Sequence, residues 1–131
     1  ATIRRQRQMC IRDSFMGYKT NVVDYMAASD IVLVPSYAEG LPLVLMEAFA
    51  SKSPAIAFDV IGCGEAIVDN ETGYSLPPFD LEMLEEKITY LLKNPDERNR
   101  LAENAHDKLK SYFCLDRMTD DTIAFYKKYL S

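Results

Sequence analysis

The sequence has few cysteines and no long hydrophobic run, and both shortages limit what the protein can be. Its three cysteines, Cys10, Cys63 and Cys114, are far apart and odd in number, so they indicate neither a disulfide framework nor a zinc site. The longest apolar runs, such as 31–35 and 41–46, are too short to span a membrane. The N-terminus lacks the apolar segment of a signal peptide. These features favour a reducing cytoplasm.

Clusters of positive charge are also few, and one segment stands out, "RRQRQMCIRDS" at residues 4–14. Taken alone, that segment predicts an arm for nucleic acid or an anionic membrane. Residue for residue, however, it resembles a translated adapter used in preparing DNA sequencing libraries. We therefore expect 1–14 to be non-native and the native domain to span 15–131. Without its four arginines and one aspartate the formal net charge falls from −5 to −8, which argues against nucleic-acid binding.

What remains is ordinary globular composition, with 48% hydrophobic and 27% charged residues. Strand-like and helix-like segments alternate. In order, the pattern predicts a strand stub at 15–18, a helix at 20–29 capped by Asn21, a strand at 30–36 buried on both faces, a loop at 36–40, a helix at 42–51, a strand at 54–59, a glycine-bearing loop at 60–65, a short helical turn, a tight turn at Gly73 and a short strand.

Three helices are predicted after Pro78. The first is capped by Asp80, the second starts at Asn94-Pro95, and the third covers about Leu115 to Leu130. The first helix has an apolar stripe of Leu81, Leu84, Ile88, Leu91 and Leu92, and the second has a predicted buried face of Leu101, Ala105, Leu109 and Tyr112. The third carries Met118, Thr122, Phe125, Tyr126 and Tyr129, of which the three aromatic residues are expected to be core. Alternatively, some of the aromatic residues on the last helix form an interface with another domain. His106 is expected to be solvated, and Cys63 and Cys114 to be small packing residues.

Strands separated by helices predict an α/β fold with a parallel, doubly wound sheet and flanking helices. Two long strands and a stub are too few for a complete sheet of this kind. We therefore expect a Rossmann-like half-domain that is incomplete at its N-terminus.

The stretch "EGLPLVLMEAFASKSPAIAF" places Glu39 before a hydrophobic helix and Glu47 inside it. Ligands of parallel sheets bind at the carboxyl ends of the strands, where loops lead into helices. Free amides at the helix start favour a phosphate, and Gly40 allows close approach of a ligand. Carboxylates on either side can accept hydrogen bonds from hydroxyl groups. This arrangement suits a nucleoside diphosphate sugar.

Simpler interpretations exist for each carboxylate. Glu39 can be a solvated loop residue, and Glu47 can be an exposed helical residue. A glycoside hydrolase with this pair is disfavoured, because eight helical residues rise roughly 12 Å and a retaining pair needs about 5–5.5 Å.

The segment from 28 to 76, with its Pro-Ser…Glu-Gly…Glu-Ala setting and its Glu-x7-Glu motif, resembles the C-terminal domain of the GT-B glycosyltransferases of family 4. The resemblance extends over 15–131. It implies that Glu39 is catalytic and binds hydroxyl groups of the donor sugar, and that Glu47 binds the ribose. The implied donor-binding residues are Ser36, Glu39, Gly40, Leu41, Pro42, Leu43, Val44 and Glu47. Gly64 and Glu65 are candidate contacts of the donor. The Cys63-Gly64-Glu65 sequence, however, departs from the Gly-Pro-x-Glu sequence of the family. The sequence is equally compatible with Glu65 being a loop carboxylate that contacts no ligand.

The resemblance further implies a retaining transferase of polysaccharide biosynthesis that needs no metal or other cofactor. Its donor would be a nucleotide sugar, with UDP-sugars favoured. Its acceptor would be a glycan or a lipid-linked molecule bound by an N-terminal domain, and the cytoplasm or the inner membrane face would be its location. The 131-residue chain alone is then expected to be inactive, because family members carry their diphosphate-binding Arg and Lys in an earlier region. The alternative is a stand-alone, non-catalytic nucleotide-sugar-binding or interaction module.

Overall fold

The computed structural model describes residues 13–38 and 40–130. The predicted non-native segment therefore lies almost entirely outside the described residues, and so does Glu39. The elements are α1 (Val22–Ala27), β1 (Val32–Val34), α2 (Leu43–Ala50), β2 (Ala55–Phe58), α3 (Cys63–Ala66), β3 (Tyr74–Leu76), α4 (Leu81–Lys93), α5 (Pro95–Tyr112) and α6 (Leu115–Leu130). Within these ranges no helix combines the length and apolar character needed to cross a membrane.

The three strands form one parallel sheet in the order β1-β2-β3. Val34 is in register with Ala57, and Ala57 in turn with Ser75. Because the strands are parallel, their carboxyl ends lie at one edge of the sheet, and neighbouring strands are about 4.8 Å apart. The predicted α/β class with a parallel sheet and flanking helices is confirmed.

The central strand β2 is buried along its whole length, as predicted. Its side chains alternate between two cores. Ala55 and Ala57 face a layer that includes Phe49 of α2, whereas Ile56 and Phe58 face a layer that includes Leu91 of α4. Helices cover both sides of this strand, which explains its continuous apolar sequence.

The layer between the sheet and α2 is built mostly from small side chains. Its buried members are Val34, Leu45, Ala48, Phe49, Ala55, Ala57, Cys63, Ala66, Ile67 and Ala105. The assignment of Cys63 to packing is thus confirmed, and α5 closes the layer through Ala105. Near the other end of the strands, a β-carbon on Gly73 would lie 2.7 Å from the carbonyl oxygen of Ala55, so the turn into β3 needs glycine for close backbone approach.

The predicted helix boundaries after Pro78 are confirmed, and side chains hold them in place. The Asp80 carboxylate accepts a hydrogen bond from the amide of Met83 at 2.9 Å, a regular N-cap. Arg98 of α5 donates to the carbonyl oxygen of Leu91, at 2.6 Å, and to that of Leu92, at 3.0 Å. These carbonyls lie in the last turn of α4, and that of Leu91 also accepts the amide of Asn94 at 3.2 Å. Arg98 thus fixes α5 against the end of α4.

The prediction that β1 is buried on both faces is wrong. Leu33 is 43% exposed, whereas Val34 is buried. Leu33 is in register with Ile56 and so belongs to the face that α4 covers, but α4 packs against β2 and β3. No other described element covers this face of β1.

Three predictions near the N-terminal side also need correction. Residues 15–18 form no strand. The first helix covers only Val22–Ala27. Asn21 precedes it, but its side chain does not cap the helix; the side-chain amide of Asn21 donates to the Asp24 carboxylate instead. The sequence pattern places Val22, Tyr25 and Met26 on one face of this helix, but only Met26 packs against the core, whereas Val22 and Tyr25 are exposed. A six-residue helix at the end of the layer has too little surface to bury all three.

Several predicted core residues of the late helices are exposed. Leu81, Leu92 and Tyr112 lie on the solvent side of their helices, because each is at or near a helix end, beyond the reach of the neighbouring element. His106 shows the opposite error. It is half-buried, and its Nδ1 lies 3.0 Å from the carbonyl oxygen of Phe49, so it joins α5 to the end of α2.

The last helix, α6, has the predicted boundaries but no buried residue. Its predicted core residues, Phe125, Tyr126 and Tyr129, are all exposed, and so are Met118 and Thr122. Their spacing places them on one face of α6, yet no described element packs against that face. Between α6, the end of α5 and the start of α2 lies an apolar cavity of about 850 Å³, lined by residues such as Leu43, Tyr112, Cys114 and Phe125.

Tyr74 on β3 gives a test of the packing at high pH. Its hydroxyl lies 3.4 Å from Glu97, whose carboxylate is also bound by Arg100 at 2.7 and 2.8 Å. Burial, followed by the negative charge of Glu97, raises the pKa of Tyr74 from 10.0 to about 12. The unfolded chain therefore loses this proton first, and stability falls as the pH rises from about 10 to 12, by at most about 2.7 kcal/mol.

We expect Tyr74→Phe to lose this component of the decline. Urea unfolding of both proteins at several pH values checks it, and the difference between them isolates Tyr74 from other groups that titrate there. Parallel declines in the two proteins would contradict the assignment.

Candidate functional site

The start of α2 lies at the carboxyl edge of the sheet, as predicted. Pro42 precedes the helix rather than belonging to its first turn, and it is buried. Its carbonyl oxygen accepts the amides of Leu45, at 3.0 Å, and Met46, at 3.4 Å. The amides of Leu43 and Val44 come before this first helical hydrogen bond, and neither donates to another residue that the structure describes, so both can donate to a ligand. The helix dipole adds to the attraction for an anion there.

Glu47 lies on the exposed side of α2. Leu45, Ala48 and Phe49 form the buried face of the helix, and Glu47 is one turn beyond Leu43 on the opposite side, a rise of roughly 6 Å. Within the described part of the chain its carboxylate has no hydrogen bond or ion pair to another side chain. It is therefore available to accept hydrogen bonds from a ligand or from water.

The other predicted residues of this loop surround the helix start. Ser36 lies two residues after the end of β1 and is half-buried, whereas Gly40, Leu41 and Leu43 are exposed. A β-carbon on Gly40 would meet no atom within 4 Å, so the space beside its backbone is open. The predicted catalytic residue, Glu39, lies outside the described residues, and its role stays a prediction.

The second loop starts at the end of β2, next to the first. Gly62 has φ of 91°, and the amide of Cys63 donates to the carbonyl of Val60 at 3.1 Å, so the helical turn α3 starts two residues earlier than predicted. The candidate residues Gly64 and Glu65 lie on it and are both exposed. α3 packs against α2 through Cys63 in the shared core. The fold thus places the two candidate loops side by side.

Two residues beside the second loop were not predicted from the sequence. A β-carbon on Gly64 would lie 2.7 Å from the Asp59 carboxylate, so this acidic group comes close to the loop backbone; its place directly after a buried strand was the available signal. Lys108 of α5 donates to the carbonyl oxygen of Ala66 at 3.0 Å. It binds the end of α3, and burial lowers its pKa. No local pattern on α5 indicates this contact.

An aromatic pair at the carboxyl edge of the sheet was also not predicted from the sequence. The rings of Tyr37, after β1, and Phe79, after β3, are stacked with centroids 4.7 Å apart and planes at 22°. Phe79 has a positive φ of 67°. The pair joins loops that are 42 residues apart, which no sequence pattern shows.

Among the described residues, no group of three or more His, Cys, Asp or Glu side chains has an arrangement that could hold a metal ion. The residues gathered at the edge are instead the helix-start amides, the carboxylates of Glu47, Asp59 and Glu65, and exposed apolar groups. Such a set suits an anionic ligand that also carries hydroxyl groups, held by hydrogen bonds.

Known proteins match this chain across most of its length. It is 30% identical over 114 residues to the α-D-kanosaminyltransferase of Streptomyces kanamyceticus, covering 87% of the chain and 29% of that protein. It is 33% identical over 98 residues to the N,N′-diacetylbacillosaminyl-diphospho-undecaprenol α-1,3-N-acetylgalactosaminyltransferase of Campylobacter jejuni, covering 75% of the chain and 26% of that protein. The chain therefore spans less than a third of the length of these curated relatives.

Solved structures show the same fold. The C-terminal domain of a glycosyl transferase group 1 family protein from Francisella tularensis superposes with a TM-score of 0.69 at 29% identity, covering 79% of this chain and 53% of that one. The Anabaena protein HepE, in complex with UDP, superposes with a TM-score of 0.82 at 21% identity over 88% of this chain and 32% of that one.

The sequence profile of the family "Glycosyl transferases group 1" matches residues 11–108, a range that contains all three strands and both candidate loops. The chain belongs to the group 1 glycosyltransferases, and its fold is that of their C-terminal domain.

Proposed function

We propose that this domain binds the nucleotide-sugar donor of a retaining glycosyltransferase, with a UDP-sugar as donor and a glycan or lipid-linked molecule as acceptor. The observation that carries the proposal is the available Glu47 carboxylate on the same helix whose free amides begin at Leu43. Structures of HepE with UDP and with UDP-glucose lend support to the donor class. The name of the Campylobacter relative, which contains a diphospho-undecaprenol, supports a lipid-linked acceptor.

In this proposal the helix start holds the diphosphate. The amides of Leu43 and Val44 donate to its oxygens, and their dipoles are already oriented before the sugar leaves, so they stabilise the negative charge that develops on the diphosphate. Glu47, about one turn further along α2, accepts hydrogen bonds from the ribose hydroxyls. Glu39, before the helix, accepts them from the sugar. Transfer takes place in the cytoplasm, or at the inner face of the membrane when the acceptor is lipid-linked.

Donor binding by the 131-residue chain tests the role of Glu47. We expect Glu47→Gln to weaken the binding of UDP roughly 10- to 100-fold, because it replaces hydrogen bonds from hydroxyls to a carboxylate by bonds to a neutral amide. Titration calorimetry, or saturation-transfer NMR if binding is weak, measures the change. Glu86→Gln is the matched control, since Glu86 is an exposed helical glutamate of α4, and we expect it to bind UDP as the wild type does.

Equal affinities in the wild type and Glu47→Gln would remove Glu47 from the site. Absence of UDP, GDP and ADP binding by the folded wild-type chain would contradict the proposed function itself. Binding together with sugar transfer by this chain alone would show that the donor half-site is sufficient for catalysis, against our expectation that it is inactive.

A further inference from the structure

Phe79 occupies a backbone position at which glycine would be expected. The amide of Asp80 donates to the carbonyl oxygen of Pro77 at 3.2 Å, which closes a β-turn over residues 77–80. The third residue of this turn, Phe79, has φ of 67°, and a positive φ at that position of a turn strongly favours glycine. A bulky aromatic residue in this conformation is rare, so contacts of the ring must offset the strain of the backbone.

The contacts of that ring are with two other aromatic rings at the carboxyl edge. Phe79 stacks on Tyr37 at 4.7 Å and lies at a tilt over Phe58, with centroids 6.4 Å apart. Phe58 is buried at the end of β2, whereas Tyr37 is 70% exposed and Phe79 is 65% exposed. The three rings therefore connect the segments that follow β1, β2 and β3. Phe58 is the fixed end of this row and Tyr37 is the outer end.

Tyr37 belongs to the loop that connects β1 to the start of α2. This loop leads directly into the amides of Leu43 and Val44, which the proposed function assigns to the diphosphate. Apart from Phe79, no other described aromatic ring packs on the ring of Tyr37. The stack is thus the side-chain contact through which the segment after β3 can set the position of the loop after β1.

We propose that Phe79 is a positioning residue for the donor-binding loop, and that its stack on Tyr37 holds the loop in its binding conformation before the donor arrives. The inference rests on the proposed function. A loop that is already ordered loses less conformational entropy on binding, so the stack strengthens donor binding without touching the donor. Aromatic pairs of this kind contribute enough to change affinity roughly two- to tenfold.

Phe79→Gly separates this role from a purely structural one. Glycine adopts the positive φ without strain, so we expect the urea midpoint of the variant to stay close to that of the wild type. Its affinity for UDP-glucose should nevertheless fall roughly two- to tenfold. Phe79→Tyr keeps the ring and should restore wild-type affinity. A lower midpoint together with unchanged affinity would overturn the proposal.

A second measurement does not depend on the donor. The chain has no tryptophan, so Tyr37→Trp introduces a single tryptophan into the loop, and its fluorescence can be excited separately from that of the tyrosines. We expect its fluorescence anisotropy to fall when Phe79→Gly is added and to stay high with Phe79→Tyr. Equal anisotropy in all three backgrounds would overturn the proposal. If the wild type binds no nucleotide sugar, the proposed function fails, and the anisotropy result still decides whether Phe79 orders the loop.

Discussion

In the proposed full-length transferase, Glu39→Gln is expected to lower kcat about 100- to 1000-fold with little change in the KM for the donor. The size of this effect is that of losing one preorganised polar group that acts on the charge developing in the transition state. Glutamine keeps the size of the side chain but carries no charge, and its amide group can accept at only one atom. Steady-state kinetics with a UDP-sugar donor, at saturating acceptor, measures the two constants separately.

The comparison with Glu47→Gln makes this result specific. Glu47 is assigned to the ribose, which does not change during transfer, so its loss should raise KM more than it lowers kcat. Glu86→Gln again serves as the control and should leave both constants unchanged. Wild-type kcat in Glu39→Gln would exclude a catalytic role for this carboxylate.

Replacing Phe49 by alanine is expected to destabilise the fold by about 3–5 kcal/mol. Phe49 is fully buried in the layer between α2 and the sheet. Its neighbours there, including Ala48 and Ala105, are too small to fill the cavity that its removal would leave. The total stability of a domain is about 5–15 kcal/mol, so most of the margin would be lost. Urea unfolding followed by circular dichroism measures the difference.

A neighbouring position on the same helix supplies the control. Leu43 is 70% exposed, so Leu43→Ala should change the free energy of unfolding by no more than about 0.5 kcal/mol. If Phe49→Ala were equally mild, α2 would have to be held by something other than this core. The proposed position of the donor site would then be wrong, because that site is built on the start of α2.

The parts of the fold that the sequence predicts well are those with a local cause. β2 is a short apolar run between turns, and it is buried on both faces. Asp80 caps α4, and the Asn94-Pro95 pair separates α4 from α5, because capping and proline geometry act within a few residues. The carboxyl-edge position of the α2 start follows from the alternation of strands and helices alone.

The errors have a common cause in contacts between distant segments. Periodicity shows that Phe125 and Tyr129 share one face of α6, but it cannot show whether another element covers that face. The same holds for Leu33 on β1, which lies beyond the width of α4. His106 was expected in solvent, yet it reaches the carbonyl of Phe49, 57 residues away. The Tyr37–Phe79 stack likewise depends on two loops that only the sheet brings together.

The small side chains between α2 and the sheet have a consequence for how the domain can change over evolution. Five of the ten buried residues in this layer are alanines, namely Ala48, Ala55, Ala57, Ala66 and Ala105. Added methylene groups there would push α2 away from the sheet, and the helix start would move with it. In the opposite layer, Phe58 belongs to the aromatic row that reaches Tyr37. Substitutions can therefore accumulate at the other positions of the α4 side while the position of α2 relative to the strand ends is kept.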